Sequence, residues 1–335
     1  MREYLVSELK GNEILAKPVC LENGSIILEI GTVLKVSYKE SLAALNIQKI
    51  FIEDPFEKYE NVNFYFKQNI FLKFENDLKE ILSHHIYKEK NGLRKLESLG
   101  KELVTKFEET KEKRALDVRN RSSDMYEHTI FIAILVMMLG KEYGFTRKRM
   151  EHAVLGCLLH DLGYRYIDVD YQNCSYDELT FSEERELKKH TILGYSASEQ
   201  EDWGPEIAKL TVLSHHEKMD GSGYPLKQRS KQKECRMIQI CDAFDCAITG
   251  VECKKKTIFQ AFELISNKRK YEGRMEQILE EKIGIYPAGT YVRTENGRNA
   301  VVISQTENAH APVILYTNGT HSSAMVTENL NREKA

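Results

Sequence analysis

The run from His215 to Pro225 reads His-His-Glu-Lys-Met-Asp-Gly-Ser-Gly-Tyr-Pro, two adjacent imidazoles and two acids leading into a Gly/Pro turn. Upstream lie the pair His160-Asp161 and the single histidines His128 and His190, and downstream lies Asp242. Imidazole together with carboxylate suits Zn, Mn, Fe or Ni, so the set points to a metal-dependent hydrolase with more than one metal. Asp124 and His128 are four apart, which puts both on one helix face. His160-Asp161 closes an apolar stretch just before Gly163. A His-Asp pair at the inner end of a buried helix costs several kcal/mol if left unpaired, and a metal satisfies both groups. His215 and His216 point about 100° apart on a helix. They therefore reach two metals, or one binds metal while the other meets phosphate. Asp242 is an acid within an otherwise apolar stretch.

These residues need helices to hold them, and the chain supplies the pattern. From 123 to 283 nearly everything scans as helix. Ser122-Ser123-Asp124 is a fair N-cap for the apolar run through Met138. Further helices are expected over 150–162, 181–199, 205–215, 235–249, 258–266 and 274–283, with loops around 164–178 and 220–230. Residues 62–113 read as charged helices with apolar positions three and four apart, as in Phe71, Phe74, Leu78, Ile81 and Leu82. His84-His85 there reads as a solvated helix face. The heptads of this stretch are not clean enough for a coiled coil.

Short apolar runs split by turn residues mark β structure at both ends. At the start these are Ile14-Leu15-Ala16, Ile26-Ile27-Leu28 and Val33–Val36, followed by a helix near 38–45 and a strand at 49–52. After Pro287 the runs at 291–293, 300–303 and 312–316 carry hairpin signals at Asn296-Gly297 and Asn318-Gly319. The expected fold is mainly α: a helical metal-binding bundle flanked by small N-terminal and C-terminal β modules. The expected divisions are a β module at 1–56, a charged helical connector at 57–119, the site domain at 120–284 and a C-terminal β unit at 285–335.

Bulk properties narrow the classes. Of 335 residues 41% are hydrophobic and 30% charged, enough to bury a sizeable core. A net charge of −3 gives no global pull toward a nucleic-acid polymer or a membrane. Residues 1–10 lack an apolar signal core, and the longest apolar stretch, 130–139, is too short to span a bilayer. The seven cysteines form no CxxC pair and fit reduced thiols in a cytoplasmic protein.

The order His128, His160-Asp161, His190, His215-His216, Asp242 resembles the HD-GYP family of the HD phosphohydrolase superfamily. The likeness runs from about Asp124 to Glu263. It rests on His160-Asp161-Leu162-Gly163, on Leu179-Thr180 with Glu183 ahead of His190 and Gly194, and on His215-His216-Glu217 through Gly223-Tyr224-Pro225. The resemblance implies hydrolysis of a cyclic dinucleotide, chiefly cyclic di-GMP, with metal ligands His128, His160, Asp161, His190, His215, His216 and Asp242. Asp161 would bridge two metals. Asp124 stands where the family's three-metal members carry an acid, commonly glutamate. The resemblance implies two or three divalent ions, with iron or manganese the usual choice; residue chemistry alone does not separate these from zinc. Two such metals, about 3.5–4 Å apart, would share a hydroxide and aim it in line at phosphorus. Asp220, Gly223, Tyr224 and Pro225 would shape the substrate mouth, with Tyr224 stacking on a base or donating to phosphate.

Two positions depart from the family. Tyr164 stands where a phosphate-gripping lysine is usual, with Arg165 beside it, and Val251 stands where an arginine is usual. Lys254, Lys255 and Lys256 keep positive charge nearby. The chemistry-bearing set is thus Asp161, Tyr164 and Arg165 over the metal ligands. The first reading is a working phosphodiesterase. The second is a signalling module that binds a cyclic dinucleotide or a protein partner without turnover, and a homo-oligomer fits either.

Overall fold

The computed structural model describes residues 2–21, 25–53, 68–85, 91–109, 118, 121–171, 178–283, 286, 289–304, 306, 311–316 and 320–329. The chain divides into two compact units, one made of residues 1–62 with 286–335 and the other of residues 63–285. The two β modules expected as separate flanks therefore share one unit.

In the first unit β1 (Arg2–Leu5), β2 (Val19–Cys20), β3 (Ile26–Leu28), α1 (Tyr38–Ala44) and β4 (Lys49–Ile52) surround a small core. β1 pairs antiparallel with β4, and β2 with β3. The core comprises Tyr4, Val6, Leu9, Leu15, Val19, Leu34, Leu42, Ile50 and Ile52.

The second unit begins with α2 (Gln68–Ser83) and α3 (Lys95–Glu108), followed by α4 (Met125–Glu142) and α5 (Arg147–Leu159). α2 packs on α4, and α3 on α5 and α4, so the charged stretch is part of the bundle and not a connector. Its apolar stripes explain this: Phe74, Leu78 and Leu82 on α2 and Leu96, Leu99, Leu103, Val104 and Phe107 on α3 are buried. His84 lies on the solvated face as expected, but His85 is buried, with its ring edge to face with Tyr166 at 6.4 Å. α4 is apolar on every side and buried throughout 128–140, which makes it the central helix.

α5 ends at Leu159, and the chain tightens into a 3-10 turn at Leu162–Tyr166. The single helix expected over 181–199 is broken into α6 (Phe181–Lys188) and α7 (His190–Glu199). At the break Lys189 bonds back only three residues to Glu186, and the His190 ring takes the Leu187 carbonyl, a side chain inserted into the helix ladder. α8 (Glu206–Ser214), α9 (Lys233–Thr249), α10 (Ile258–Ile265) and α11 (Gly273–Ile283) complete the unit. α8 packs on α5, α7 and α9, and α9 packs on α4 and α10.

The remaining strands, β5 (Tyr291–Thr294), β6 (Asn299–Ser304), β7 (Val313–Tyr316), β8 (His321–Ser323) and β9 (Val326–Asn329), form one antiparallel sheet in the order β8-β7-β6-β5-β9. The turn at Asn296-Gly297 joins β5 to β6, with Gly297 at φ +75°. Asn318-Gly319 lies outside the described residues.

One contact sets how closely the 3-10 turn approaches α7. A Cβ added to Gly163 would lie 1.8 Å from the His190 carbonyl oxygen, so only glycine lets the two segments meet. Overpacking costs 1–3 kcal/mol where side chains can yield, and here the obstacle is backbone. Gly163→Ala is expected to destabilise by about 3 kcal/mol, a fall of roughly 6–12 °C in melting temperature. A thermal melt at the wild-type temperature would show that the segments can separate without cost.

Candidate metal centre

The described residues bring seven of the eight expected ligands to one buried place. Their ligand atoms fall into three overlapping groups: Asp161, His190, His215 and His216; His128, His160 and Asp161; and His128, Asp242 and Cys246. Within each group the atoms lie within 4.8 Å of one another, and Asp161 belongs to two of the groups. α4 presents His128 in its first turn, the end of α5 presents His160, and the 3-10 turn begins from Asp161. The start of α7 presents His190, the end of α8 presents His215 with His216 following, and the middle of α9 presents Asp242.

Three rings are aimed in the same way. His160 Nδ1 lies 2.6 Å from the Cys157 carbonyl, His190 Nδ1 2.8 Å from that of Leu187, and His215 Nδ1 2.8 Å from that of Val212. A carbonyl only accepts, so each Nδ1 carries the proton and donates it. Each Nε2 is then left with a lone pair facing inward. His190 Nε2 and His215 Nε2 stand 3.1 Å apart, two lone pairs pointed together when both rings are neutral. Asp161 Oδ1 lies 3.5 Å from His215 Nε2, and Asp161 Oδ2 lies 3.2 Å from His160 Nε2. His160 Nε2 and His216 Nε2 are buried and make no hydrogen bond. Converging lone pairs and orphaned ring nitrogens beside carboxylates fit divalent cations.

His128 is held differently. Its Nδ1 lies 2.7 Å from Asp245 Oδ2, and Arg121 Nη2 reaches both Asp245 oxygens at 3.2 and 3.1 Å. Its Nε2 faces Asp242 Oδ1 at 3.4 Å and Asp161 Oδ2 at 3.6 Å. A carboxylate behind a ligating imidazole fixes its tautomer and raises its basicity.

The charges suit the same role. Burial would raise Asp161, but His160 beside it holds it well below the usual carboxylate range. Asp242 is likewise lowered: the charges of His216 and His128 overcome its burial. Burial and the His215 charge push His190 down to about 3 and also lower His216, so both rings are neutral donors. Burial works against a charge on His128, but the Asp242 and Asp245 carboxylates outweigh it and raise the ring to about 10. Without a metal, protons thus supply part of the positive charge that the two carboxylates demand.

The other expected site residues lie around or outside these groups. Asp124 joins none of the three groups: it caps α4, its Oδ1 accepting from the Tyr126 and Glu127 amides at 2.8 and 3.0 Å. Capping satisfies an aspartate side chain that is one methylene shorter than the glutamate usual there. Arg165 is exposed. Tyr164 is buried; its ring stacks on His190 at 4.2 Å and on Tyr171 at 4.4 Å. Asp220 is exposed and accepts from the Ser222 amide and hydroxyl at 3.0 and 2.6 Å, closing its own turn. The turn is pinned by Glu217, which accepts from the Leu226 and Gln228 amides at 2.6 and 2.9 Å. A Cβ on Gly223 would fall 2.4 Å from the His216 carbonyl oxygen, so the turn rests directly on that residue. Tyr224 stacks on His216 at 4.7 Å, followed by a cis bond to Pro225.

Sequence reasoning passed over three site residues. Asp245 and Cys246 sit one turn or less beyond Asp242 on α9, and helical spacing from Asp242 would have found both. Glu252 left no such signal. It follows the left-handed Gly250 that ends α9, has φ +54° itself, and is buried. Its carboxylate accepts from the Tyr164 hydroxyl, lies 3.3 Å from the Tyr224 hydroxyl, 3.3 Å from His216 Nε2 and 3.6 Å from His190 Nδ1.

Residues 125–247 match the HD domain family. Over 196 residues the chain is 30% identical to a cyclic di-GMP phosphodiesterase of Pseudomonas aeruginosa, covering 56% of this chain and 47% of that protein. A cyclic di-GMP phosphodiesterase of Thermotoga maritima is 29% identical over 185 residues, covering 51% and 49%. The chain thus spans about half the length of these curated relatives. Among solved structures the fold is similar to that of an HDG"Y"P protein from Bdellovibrio bacteriovorus, with a TM-score of 0.53 and 17% identity, over 84% of this chain and 98% of that one.

Asp245 links the buried Arg121 to His128, which makes it the test of the support behind the site. Removing one partner of a buried ion pair costs about 3–5 kcal/mol, and losing an outer carboxylate costs about 10–100-fold in metal affinity. Asp245→Asn is expected to show both losses, in thermal melts and in manganese or zinc titration. Unchanged affinity would mean that Asp245 serves only the fold.

Proposed function

We propose that this HD-domain protein of the HD-GYP type is a metal-dependent phosphodiesterase that hydrolyses a cyclic dinucleotide, cyclic di-GMP before others. The observation that carries the reading is the convergence of three inward-facing Nε2 atoms on the buried Asp161 carboxylate. The resemblance to cyclic di-GMP phosphodiesterases supports the choice of substrate. His128, His160 and Asp242 would hold one divalent ion, and His190, His215 and His216 a second, with Asp161 shared between them. Iron or manganese fits this imidazole and carboxylate set. When bound, the ions supply Lewis-acid charge that acidifies water and offsets the charge of the phosphodiester.

The chain's own residues do the rest. Asp245 and the three helix-end carbonyls keep the imidazoles aimed, so no reorientation is needed during the reaction. Tyr164, stacked on His190, supports that ring. Tyr224 is half-buried over His216 with Lys188 Nζ 5.4 Å from its ring centre, an aromatic face and a cation suited to a nucleotide base and its phosphate. We place the activity in the cytoplasm, a reading supported by six free cysteines among the described residues. No described helix is long and apolar enough to cross a membrane.

One observation favours a second reading, a module that binds a cyclic dinucleotide without turnover. Where relatives are expected to place phosphate-gripping cations, this chain has Tyr164, the buried Val251 and the added carboxylate of Glu252. Negative charge there opposes an anionic substrate.

Cyclic di-GMP turnover by protein purified without oxygen or chelator, with metals counted on the same sample, separates the readings. Turnover is expected at two or more metals per chain, with Asp161→Asn losing both metal and activity. Full metal occupancy with no turnover would move the assignment to the binding module, and a nucleotide titration would then measure its affinity. In the enzyme reading Glu252→Gln is expected to lower KM roughly tenfold, about 1.4 kcal/mol, by removing the opposing charge. A KM that rises instead would make Glu252 a substrate contact.

A further inference from the structure

The geometry points to Cys246 as a thiolate ligand of the ion on the His128–Asp242 side. This inference rests on the metal-centre reading above and adds a donor to it. Cys246 follows Asp242 by four residues on α9, so both side chains leave the same face. Its Sγ lies 3.3 Å from Asp242 Oδ1 and 3.9 Å from His128 Nε2, and those two atoms are 3.4 Å apart. Tetrahedral coordination with bonds of about 2.0–2.3 Å to N, O and S separates neighbouring ligand atoms by roughly 3.4–3.6 Å. Two edges of the triangle of His128, Asp242 and Cys246 are close to those separations and the Sγ–Nε2 edge is longer at 3.9 Å, so a small approach of the thiol would complete one face of such a site. The three side chains are buried, His128 at 0%, Asp242 at 2% and Cys246 at 8% exposure. The ring of His160, whose Nε2 makes no hydrogen bond, lies 5.5 Å from that of His128 and faces the same space.

In the metal-free chain the thiol donates to Asp242 Oδ1. On loading, the S–H bond breaks, a metal–sulfur bond forms, and the proton leaves to solvent. The two ions then have unlike surroundings. The one between Asp161, His190, His215 and His216 has only nitrogen and oxygen donors. The one beside Cys246 gains a soft donor that favours zinc or iron(II) over manganese or magnesium.

Cobalt(II) alone, added without oxygen to the chelator-stripped 335-residue chain, tests this. Binding is expected to raise a near-ultraviolet sulfur-to-cobalt charge-transfer band. Cys246→Ser and Cys246→Ala are expected to lose the band while keeping wild-type helical circular dichroism, and Cys253→Ala to retain it. Zinc affinity is expected to fall at least about tenfold in Cys246→Ser, since even outer partners are worth that much. Cobalt that binds in a manner sensitive to Asp161→Asn and His160→Ala, but without the band, would overturn the role of Cys246 and leave the metal centre standing. A band that persists in both Cys246 variants would overturn it too. Cobalt that fails to bind, or binds equally in Asp161→Asn and His160→Ala, would overturn the metal centre and this inference together.

Discussion

His160, His190 and His215 each follow the end of a helix, and each gives its Nδ1 proton to the carbonyl three residues back. Those carbonyls belong to the acceptors that a helix C-terminus leaves without an intrahelical partner. One hydrogen bond therefore completes the helix end and fixes the tautomer of the ring. The ends of α5, α6 and α8 also bring the negative poles of three helices toward one point, each worth roughly half an elementary charge. Add the ionised Asp161 and Asp242, and the interior of the bundle becomes a place that favours positive charge. The close approach at Gly163 and the break between α6 and α7 follow from bringing these ends together.

Two carboxylates back the site from opposite sides. Asp245 stands behind His128 and is itself neutralised by Arg121, whose guanidinium lies 3.9 Å from the centre of the Phe131 ring. Glu252 stands behind His190 and His216 and is met by the hydroxyls of Tyr164 and Tyr224. The first arrangement closes its charge within the core. The second sets a carboxylate against the Tyr224 hydroxyl. The same residue thus lies against two of the clustered imidazoles.

Much of this was legible in the sequence because it depends on local pattern. The helices carrying the cluster follow from apolar periodicity, and the seven clustered histidines and aspartates from residue type and order. What escaped depends on three-dimensional competition. Asp124 has the spacing of a ligand and the chemistry of an N-cap, and its Oδ1 accepts from the Tyr126 and Glu127 amides. His84-His85 reads as one solvated pair, although only His84 is exposed, since burial of the second ring is decided by a neighbouring segment. Glu252 lies beyond the helix end, where a left-handed glycine turns the chain back, and no periodicity reports such a return. The charged helices α2 and α3 look like a connector by composition, while their narrow apolar stripes bind them to α4 and α5.

The clustered residues come from separated stretches: His128 from the start of α4, His160 and Asp161 from the end of α5 and just beyond it, His190 from the start of α7, His215 and His216 from the end of α8 and just beyond it, and Asp242 from α9. An ion gripping them joins distant points of the chain, as a disulfide does, and takes freedom chiefly from the unfolded ensemble. Unlike a disulfide, the tie needs no oxidant and can be undone by a chelator. Metal supply would then govern the lifetime of the folded bundle as well as its chemistry. A cell short of the ion would hold less of this protein, and not merely an idle form of it.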